Sequence, residues 1–248
     1  MKKQTLDLIN ELKEHEEDFE WYPTKQEMVD CIAETLSENA RGVWLDIGAG
    51  NGGFYQKMTQ TQPHAFCDYA IIEKSDILRR ELDKMLKGNR KSHIFYGADF
   101  HECSLFDKKV DYIFCNPPYS EFVEWTCKII EQGYCAKAFL VIPQRWEENN
   151  KIQQFIKQRG CSYKILGSFD FLNAERQARA KIDVIEFDFR TEYKNRWGEN
   201  ETGTQDPFVD FLKKEFKFTE PQIPQEDFKR EEVLESELEV AGNPIEAY

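Results

Sequence analysis

The sequence lacks several features that would place it in a specialised class of protein. It has no run of about 18 apolar residues, which a membrane-spanning helix needs. Its N-terminus lacks the apolar block and small-residue cleavage site of a secretory signal. Its seven cysteines include no C-x-x-C pair, so we interpret them as buried thiols in a reducing compartment. We therefore expect a cytoplasmic protein with no bound metal.

The chain also lacks the positive charge that attracts a polyanion, since its formal net charge is −13. The excess acid lies at the two ends. Residues 1–30 carry 4 Lys or Arg against 9 Asp or Glu, residues 191–248 carry 7 against 15, and residues 31–190 carry 22 of each. Because the middle of the chain is neutral, the charge neither excludes nor favours a nucleic-acid partner.

Alternating hydrophobic patterns dominate the middle of the chain. Five short β-prone runs are separated mostly by segments long enough for helices, which predicts a parallel sheet covered on both faces. Two further runs are joined without a helix and should close the sheet as an antiparallel pair at its edge. The sequence therefore predicts a Rossmann-like α/β fold with a seven-stranded, mostly parallel sheet. The predicted strands are 42–48, 69–75, 93–99, 110–116, 137–143, 163–171 and 181–189, and the helices between them are 52–60, 76–88, 120–133 and 147–159.

We divide the chain into an N-terminal helical segment (1–40), a main α/β domain (41–190) and an acidic, partly flexible C-terminal extension (191–248). The first part contains two predicted helices, 3–20 and 24–39, and Thr24 is placed to cap the second. In the third part, 191–207 has the composition of a loop and 208–216 has one apolar helical face. The acidic remainder is predicted to be a flexible tail or a partner-docking segment.

A glycine-rich turn, "LDIGAGNGG", follows the first predicted strand. Gly48 and Gly50 allow the backbone to bend sharply and approach a ligand, with a helix N-terminus behind them. The spacing matches neither the dinucleotide fingerprint G-x-G-x-x-G nor a P-loop. Asp46, two residues before the first glycine, favours an amino-bearing ligand over a pyrophosphate.

Two more acidic residues end the next two predicted strands. A carboxylate at Glu73 can accept hydrogen bonds from both hydroxyls of a ribose, and one at Asp99 can accept from an exocyclic amine. A single strand-end acid is more often a solvated residue than a ligand. Three acids at successive strand ends beside a glycine turn favour a nucleoside-bearing ligand.

The fourth predicted strand ends in Asn116, Pro117, Pro118 and Tyr119. Prolines cannot donate to a sheet ladder and fix their own backbone angle, so the turn is stiff. The Asn116 side-chain oxygen and the Pro117 carbonyl could accept from an amino group on an aromatic ring, and Tyr119 could stack on that ring. Catalysis would then be mostly alignment of the reacting atoms. The alternative is a turn that only terminates the strand.

These motifs, in this order over about residues 20–190, resemble the class I S-adenosylmethionine-dependent methyltransferases. The NPPY turn resembles the N6-adenine type with a gamma-like motif order, and "WYPTKQEMV" resembles the segment that such enzymes place over the methionine end of the cofactor. The resemblance implies a catalytic domain at 41–190, S-adenosylmethionine as cofactor and Asn116, Pro117 and Tyr119 as catalytic residues. It implies that the cofactor is bound by Thr24, Asp46, Gly48, Gly50, Glu73, Asp99 and Asn116.

The expected acceptor is N6 of adenine in DNA, which must leave the base stack to be methylated. Besides Pro118 and Tyr119, the candidate substrate contacts are Phe171 for the second ring face and Arg176 and Arg179 for phosphates. Two features depart from the family: no separate recognition domain follows, and both ends are acidic. Adenine in RNA, glutamine in a protein, and a catalytically silent scaffold with a protein partner on its acidic extension remain alternatives.

Overall fold

The structure, a computed structural model, describes residues 2–38, 40–87, 93–170, 181–194 and 200–216. Residues 1–211 form one compact unit, and a second unit begins at residue 212. The helices are α1 (Lys2–Glu14), α2 (Gln26–Ala33), α3 (Gly53–Thr61), α4 (Asp76–Leu86), α5 (Phe122–Gln132), α6 (Asn150–Arg159) and α7 (Pro207–Phe216). The strands are β1 (Gly42–Ile47), β2 (Phe66–Ile72), β3 (His93–Gly97), β4 (Tyr112–Cys115), β5 (Lys137–Pro143), β6 (Ser162–Asp170), β7 (Lys181–Asp188), β8 (Arg190–Lys194) and β9 (Asn200–Thr204).

Strands β1 to β7 form one sheet in the order β3-β2-β1-β4-β5-β7-β6. The pairs among β1 to β5 are parallel, whereas β7 runs antiparallel to both β5 and β6. The predicted seven-stranded, mostly parallel sheet with a reversed strand near its edge is therefore confirmed. Strands β1 and β4 are direct neighbours, with Ile47 opposite Cys115. This register places the glycine turn and the NPPY turn side by side.

Side chains that alternate along the strands pack into two separate hydrophobic cores, one on each face of the sheet. Leu45 and Ile47 pack on the face covered by α5 and α6. Trp44 and Phe114 pack on the opposite face with α2 and α3. The central strands β1 and β4 are buried on both faces, which fixes their pairing register.

Several local predictions from the sequence differ from the structure. The helices predicted at 3–20 and 24–39 end earlier, at Glu14 and Ala33. The segment 191–207, predicted to be a loop, contains the antiparallel pair β8 and β9, held by a backbone ladder that its polar composition does not signal. The second helix begins at Gln26, with Lys25 at the N-cap position and no side-chain cap. Thr24 is buried and contacts the NPPY turn instead. None of the described helices combines the length and apolar character needed to cross a bilayer.

Candidate functional site

Two turns meet at the carboxyl edge of the sheet. In the first, Gly48 and Gly50 adopt positive φ angles of 71° and 59°, a region that favours glycine. A Cβ atom added at Gly50 would lie 2.5 Å from Nε1 of Trp21, so the indole ring rests directly on this turn. In the second turn, Asn116 follows the last residue of β4. Gly50 is thus covered by Trp21, and Gly48 is the glycine of this turn that lines a cavity beside Asn116.

A cleft of about 280 Å³ lies over these turns. Its lining includes Gly48, Glu73, Asp99, Asn116 and Pro118. A smaller hollow of about 20 Å³ is lined by Thr24 and Asp46 among others, and Trp21, Gly48 and Asn116 line both cavities. The structure therefore brings together most of the cofactor residues named from the sequence.

Asp46 is a buried carboxyl group, only 1% exposed. Burial raises its pKa to about 7, although the hydrogen bond from the Tyr69 hydroxyl opposes this rise. Its Oδ1 is buried and has no hydrogen-bond partner within the described part of the chain. This carboxyl group thus titrates near neutral pH, and a ligand ammonium group would satisfy its second oxygen.

Glu73 holds the glycine turn in place. Its Oε2 accepts the Gly50 N–H at 2.6 Å, and its Oε1 accepts the Ser75 N–H at 2.8 Å at the start of α4. Burial raises the pKa of this carboxyl group, whereas the backbone donors lower it. Each carboxylate oxygen has a second lone pair, so the residue can still accept from a ribose while it braces the turn.

Asp99 forms an ion pair with Lys74, with 2.8 Å between Oδ2 and Nζ. It also accepts the His101 N–H, and the hydrogen bond from Lys74 is the main reason that its pKa is lowered. The side chain is ionised at neutral pH and 24% exposed at the cleft. An amine bound by Asp99 would share the carboxylate with Lys74, which the sequence did not reveal as part of the site.

Asn116 has its amide held in one orientation. Its Nδ2 donates to the Tyr22 carbonyl at 2.8 Å and to the Thr24 hydroxyl oxygen at 3.3 Å. Its Oδ1 is buried and has no hydrogen-bond partner among the residues that the structure describes. A buried amide oxygen without a donor is costly. The arrangement therefore presents an acceptor that suits the N–H of a ligand.

Tyr119 is 9% exposed and stacks on Tyr22, with ring centroids 5.1 Å apart and an interplanar angle of 6°. Its carbonyl accepts from Nη2 of Arg145 at 2.9 Å, and the next N–H, of Ser120, donates to Oε2 of Glu20 at 3.0 Å. Pro117 is buried before it. The ring predicted to stack on a substrate is present at the site, but another side chain covers it.

Three of the predicted substrate contacts lie outside the described residues: Phe171, Arg176 and Arg179. The individual roles of Trp21 and Tyr22 are not evident from the sequence, although their segment resembles a cofactor-covering one. The role of Tyr69 is not evident either, because its position on β2 gives no sign that its hydroxyl reaches Asp46 on the neighbouring strand. Only the pairing of β1 with β2 brings these two side chains together.

The chain is similar to known methyltransferases. A family model described as methyltransferase small domain matches residues 28–139. A dimethyladenosine transferase from Plasmodium falciparum aligns with a TM-score of 0.56 at 14% identity, covering 68% of this chain and 63% of that chain, which is less than two thirds of its length. The 23S rRNA methyltransferase ErmE aligns with a TM-score of 0.53 at 13% identity, covering 68% and 69%.

A putative class I S-adenosylmethionine-dependent methyltransferase from Listeria monocytogenes aligns with a TM-score of 0.56 at 13% identity, covering 75% of this chain and 67% of that chain. No curated protein matches the chain in sequence. These findings confirm the Rossmann-like methyltransferase fold and imply S-adenosylmethionine as the cofactor. The cleft fits a nucleoside, and the buried Oδ1 of Asp46, which has no hydrogen-bond partner among the described residues, fits the amino group of an amino acid attached to it.

Proposed function

We propose that the protein transfers a methyl group from S-adenosylmethionine to an exocyclic amino group, with N6 of adenine in DNA as the acceptor. The observation that carries this proposal is the amide of Asn116. Its NH₂ group is engaged by the Tyr22–Thr24 segment, and its buried Oδ1 has no partner in the described part of the chain. The amide is thus set to accept a hydrogen bond beside the cofactor turn.

The residues that line the cleft and those that line the small hollow would bind different ends of the cofactor. When bound, S-adenosylmethionine supplies an electrophilic methyl group on a sulfonium, which needs no protein base for activation. Glu73 and Asp99 would hold the nucleoside end, and the small hollow lined by Asp46 and Thr24 has room for the amino group of the amino-acid end. Gly48 and Asn116 line both cavities, which places the NPPY turn at the junction of the two.

An amino group on an aromatic ring is a poor nucleophile because its lone pair is delocalised into the ring. Acceptors on its N–H groups favour a pyramidal and more reactive nitrogen. Oδ1 of Asn116 and the carbonyl of Pro117 would be these acceptors, each contributing about 10²–10³ in rate by analogy with oxyanion-hole donors. The stiff turn would supply the rest of the rate enhancement, because it aligns the amine with the methyl group.

A flat ring as the substrate is supported by Tyr119, whose ring lies at the site and already stacks on an aromatic ring, that of Tyr22. In duplex DNA the target adenine would have to leave the stack to reach this turn. Phe171, Arg176 and Arg179 remain the proposed contacts to the second ring face and to phosphates. The acidic extension remains a candidate surface for a protein partner.

RNA is the second candidate acceptor. The names of two structural neighbours, a dimethyladenosine transferase and a 23S rRNA methyltransferase, support it. A glutamine carboxamide poses the same delocalised-amine problem and is the third candidate. A silent scaffold is the candidate from another class. Oδ1 of Asp46 and Oδ1 of Asn116 have no hydrogen-bond partner in the described ranges, which favours ligand binding over a scaffold.

The proposal is tested by incubating the protein with methyl-labelled S-adenosylmethionine and, in parallel, with plasmid DNA, ribosomal RNA or a peptide release factor. Digestion and mass spectrometry then identify the labelled product. We expect N6-methyladenine in the DNA reaction. Label confined to RNA would move the acceptor to the second candidate, and label confined to protein, or none at all, would contradict the nucleic-acid proposal.

A further inference from the structure

The N-terminal segment around Tyr22 contacts the NPPY turn and the residue after it at four points, one of which is the hydrogen bond from Asn116 to the Thr24 hydroxyl. The ring of Tyr22 stacks on Tyr119, and the Tyr22 carbonyl accepts from Nδ2 of Asn116. Two residues earlier, Oε2 of Glu20 accepts the N–H of Ser120. Glu20 has a φ of 56°, a left-handed conformation that a residue with a Cβ rarely adopts. The chain thus bends sharply to bring Tyr22 over Tyr119.

The stack leaves no room for a second ring. Two aromatic faces that sandwich a flat ring must lie about 7 Å apart, because each carbon contact takes about 3.5 Å. The centroids of Tyr22 and Tyr119 are only 5.1 Å apart, and their planes are almost parallel at 6°. Tyr119 is otherwise embedded in the core on the α2 and α3 face of the sheet. Any ring that stacks on the face of Tyr119 now covered by Tyr22 must therefore first displace the Tyr22 ring.

We infer that the ring of Tyr22 occupies the position that the acceptor's ring takes on Tyr119, so that binding of the substrate displaces it. This inference rests on the proposed function and names the residue that selects for its substrate class. An adenine that displaces Tyr22 breaks the Tyr22–Tyr119 stack but forms a new stack on Tyr119 itself. A glutamine carboxamide has no aromatic ring, so its binding would break the Tyr22–Tyr119 stack without forming another.

Movement of the ring does not require movement of the backbone. The contact with Asn116 uses the Tyr22 carbonyl, so the amide of Asn116 stays oriented while the side chain swings away. The hydrogen bond from the Ser120 N–H to the Glu20 carboxylate fixes the backbone before Tyr22 and does not involve the Tyr22 ring. The Tyr22→Ala variant should therefore expose Tyr119 without releasing Asn116.

The test is a fluorescence titration with 2-aminopurine riboside, whose emission is quenched by stacking. Saturating S-adenosylhomocysteine keeps the probe out of the cofactor cleft. An aromatic pair contributes about 0.5–1.5 kcal/mol, so Tyr22→Ala should bind the probe about two- to tenfold more tightly than the wild type. Tyr22→Phe should bind like the wild type, and Tyr119→Ala more weakly. Phe95→Ala, which removes an exposed ring on β3, is the matched control.

Unchanged or weaker binding by Tyr22→Ala would overturn the inference. The wild-type assay of methyl transfer to nucleic acid separates this outcome from a failure of the proposed function. If the wild type methylates adenine but Tyr22→Ala does not bind the probe more tightly, the inference alone fails. If no variant binds the purine and no nucleic acid is methylated, both fail.

Discussion

The hydroxyl of Tyr69 on β2 donates a hydrogen bond to Oδ2 of Asp46 on β1, with 2.5 Å between the oxygens. Both residues are almost completely buried. The bond favours the charged carboxylate, whereas burial disfavours it more strongly and raises the pKa of Asp46 to about 7. The pair therefore places a titrating acid beside the glycine turn.

Cofactor affinity should depend on this pair. Ionised Asp46 attracts the amino group of S-adenosylmethionine, so the affinity should rise as the pH increases through about 7. In Tyr69→Phe the pKa of Asp46 is raised further, and the increase in affinity should move to higher pH. Calorimetry from pH 6 to 9 measures this shift. The ligand's own titration is common to both proteins, and Tyr163→Phe, at an exposed tyrosine, is the control. Superimposable profiles would contradict the prediction.

Asp46 should also affect the stability of the free protein. Its folded-state pKa of about 7 lies above the ordinary value of 3.8, so its contribution to stability is complete below pH 4 and is lost as the pH rises through about 7. Asp46→Asn cannot ionise. We expect it to have a higher Tm than the wild type at pH 8, a difference that shrinks towards pH 5, together with weaker cofactor binding. A variant that melts lower at pH 8 would argue against a buried charge at this position.

Glu73→Gln should loosen the glycine turn. A glutamine has one acceptor oxygen, so its NH₂ group must face either the Gly50 N–H or the Ser75 N–H. One buried donor is then unsatisfied, which should lower the free energy of unfolding by about 1–3 kcal/mol. Cofactor affinity should fall at least about tenfold with it. Denaturant titration and calorimetry measure the two effects.

The matched control for Glu73 is Glu81→Gln, on an exposed part of α4 where the glutamate pairs only with Lys84 among the ion pairs of the described residues. It should change neither the stability nor the cofactor affinity beyond a few tenths of a kcal/mol. Equal behaviour of the two variants would show that Glu73 does not brace the turn.

Thr24→Val tests how Asn116 is oriented. Valine keeps the shape of threonine but removes the oxygen that accepts from Nδ2, while the shorter bond to the Tyr22 carbonyl remains. Loss of one hydrogen bond of about 0.5–1.5 kcal/mol should lower kcat about two- to tenfold. Thr24→Ser should restore it. An unchanged kcat in Thr24→Val would mean that the Tyr22 carbonyl alone fixes the amide.

The sheet was largely predictable from the sequence because its central strands are buried on both faces. The runs around Leu45, Phe114 and Phe139 are continuous and apolar, and each is followed by a break in the pattern. Parallel strands whose carboxyl ends meet at one edge then bring Asp46, Glu73 and Asn116 together. The strand pair β8 and β9 was missed because its ladder uses backbone groups and no hydrophobic alternation marks it.

The contacts within the site were not predictable in the same way. Thr24 has the spacing of a helix cap, but its hydroxyl is used by Asn116 across 92 residues of sequence. The stack of Tyr22 on Tyr119 joins the same two segments, which are far apart in the sequence. Such contacts depend on where a non-helical segment crosses the sheet edge, and side-chain periodicity carries no information about that crossing.

The most direct test of the account is the turnover of Asn116→Ala with S-adenosylmethionine and DNA, measured as N6-methyladenine formed. Asn150→Ala, at an exposed asparagine on α6, is the matched control. We expect Asn116→Ala to lower kcat at least about a hundredfold, as loss of an acceptor at the reacting nitrogen should, with cofactor affinity within a few fold of the wild type. Turnover equal to that of the control would contradict the assignment of Asn116 as the acceptor of the substrate amine.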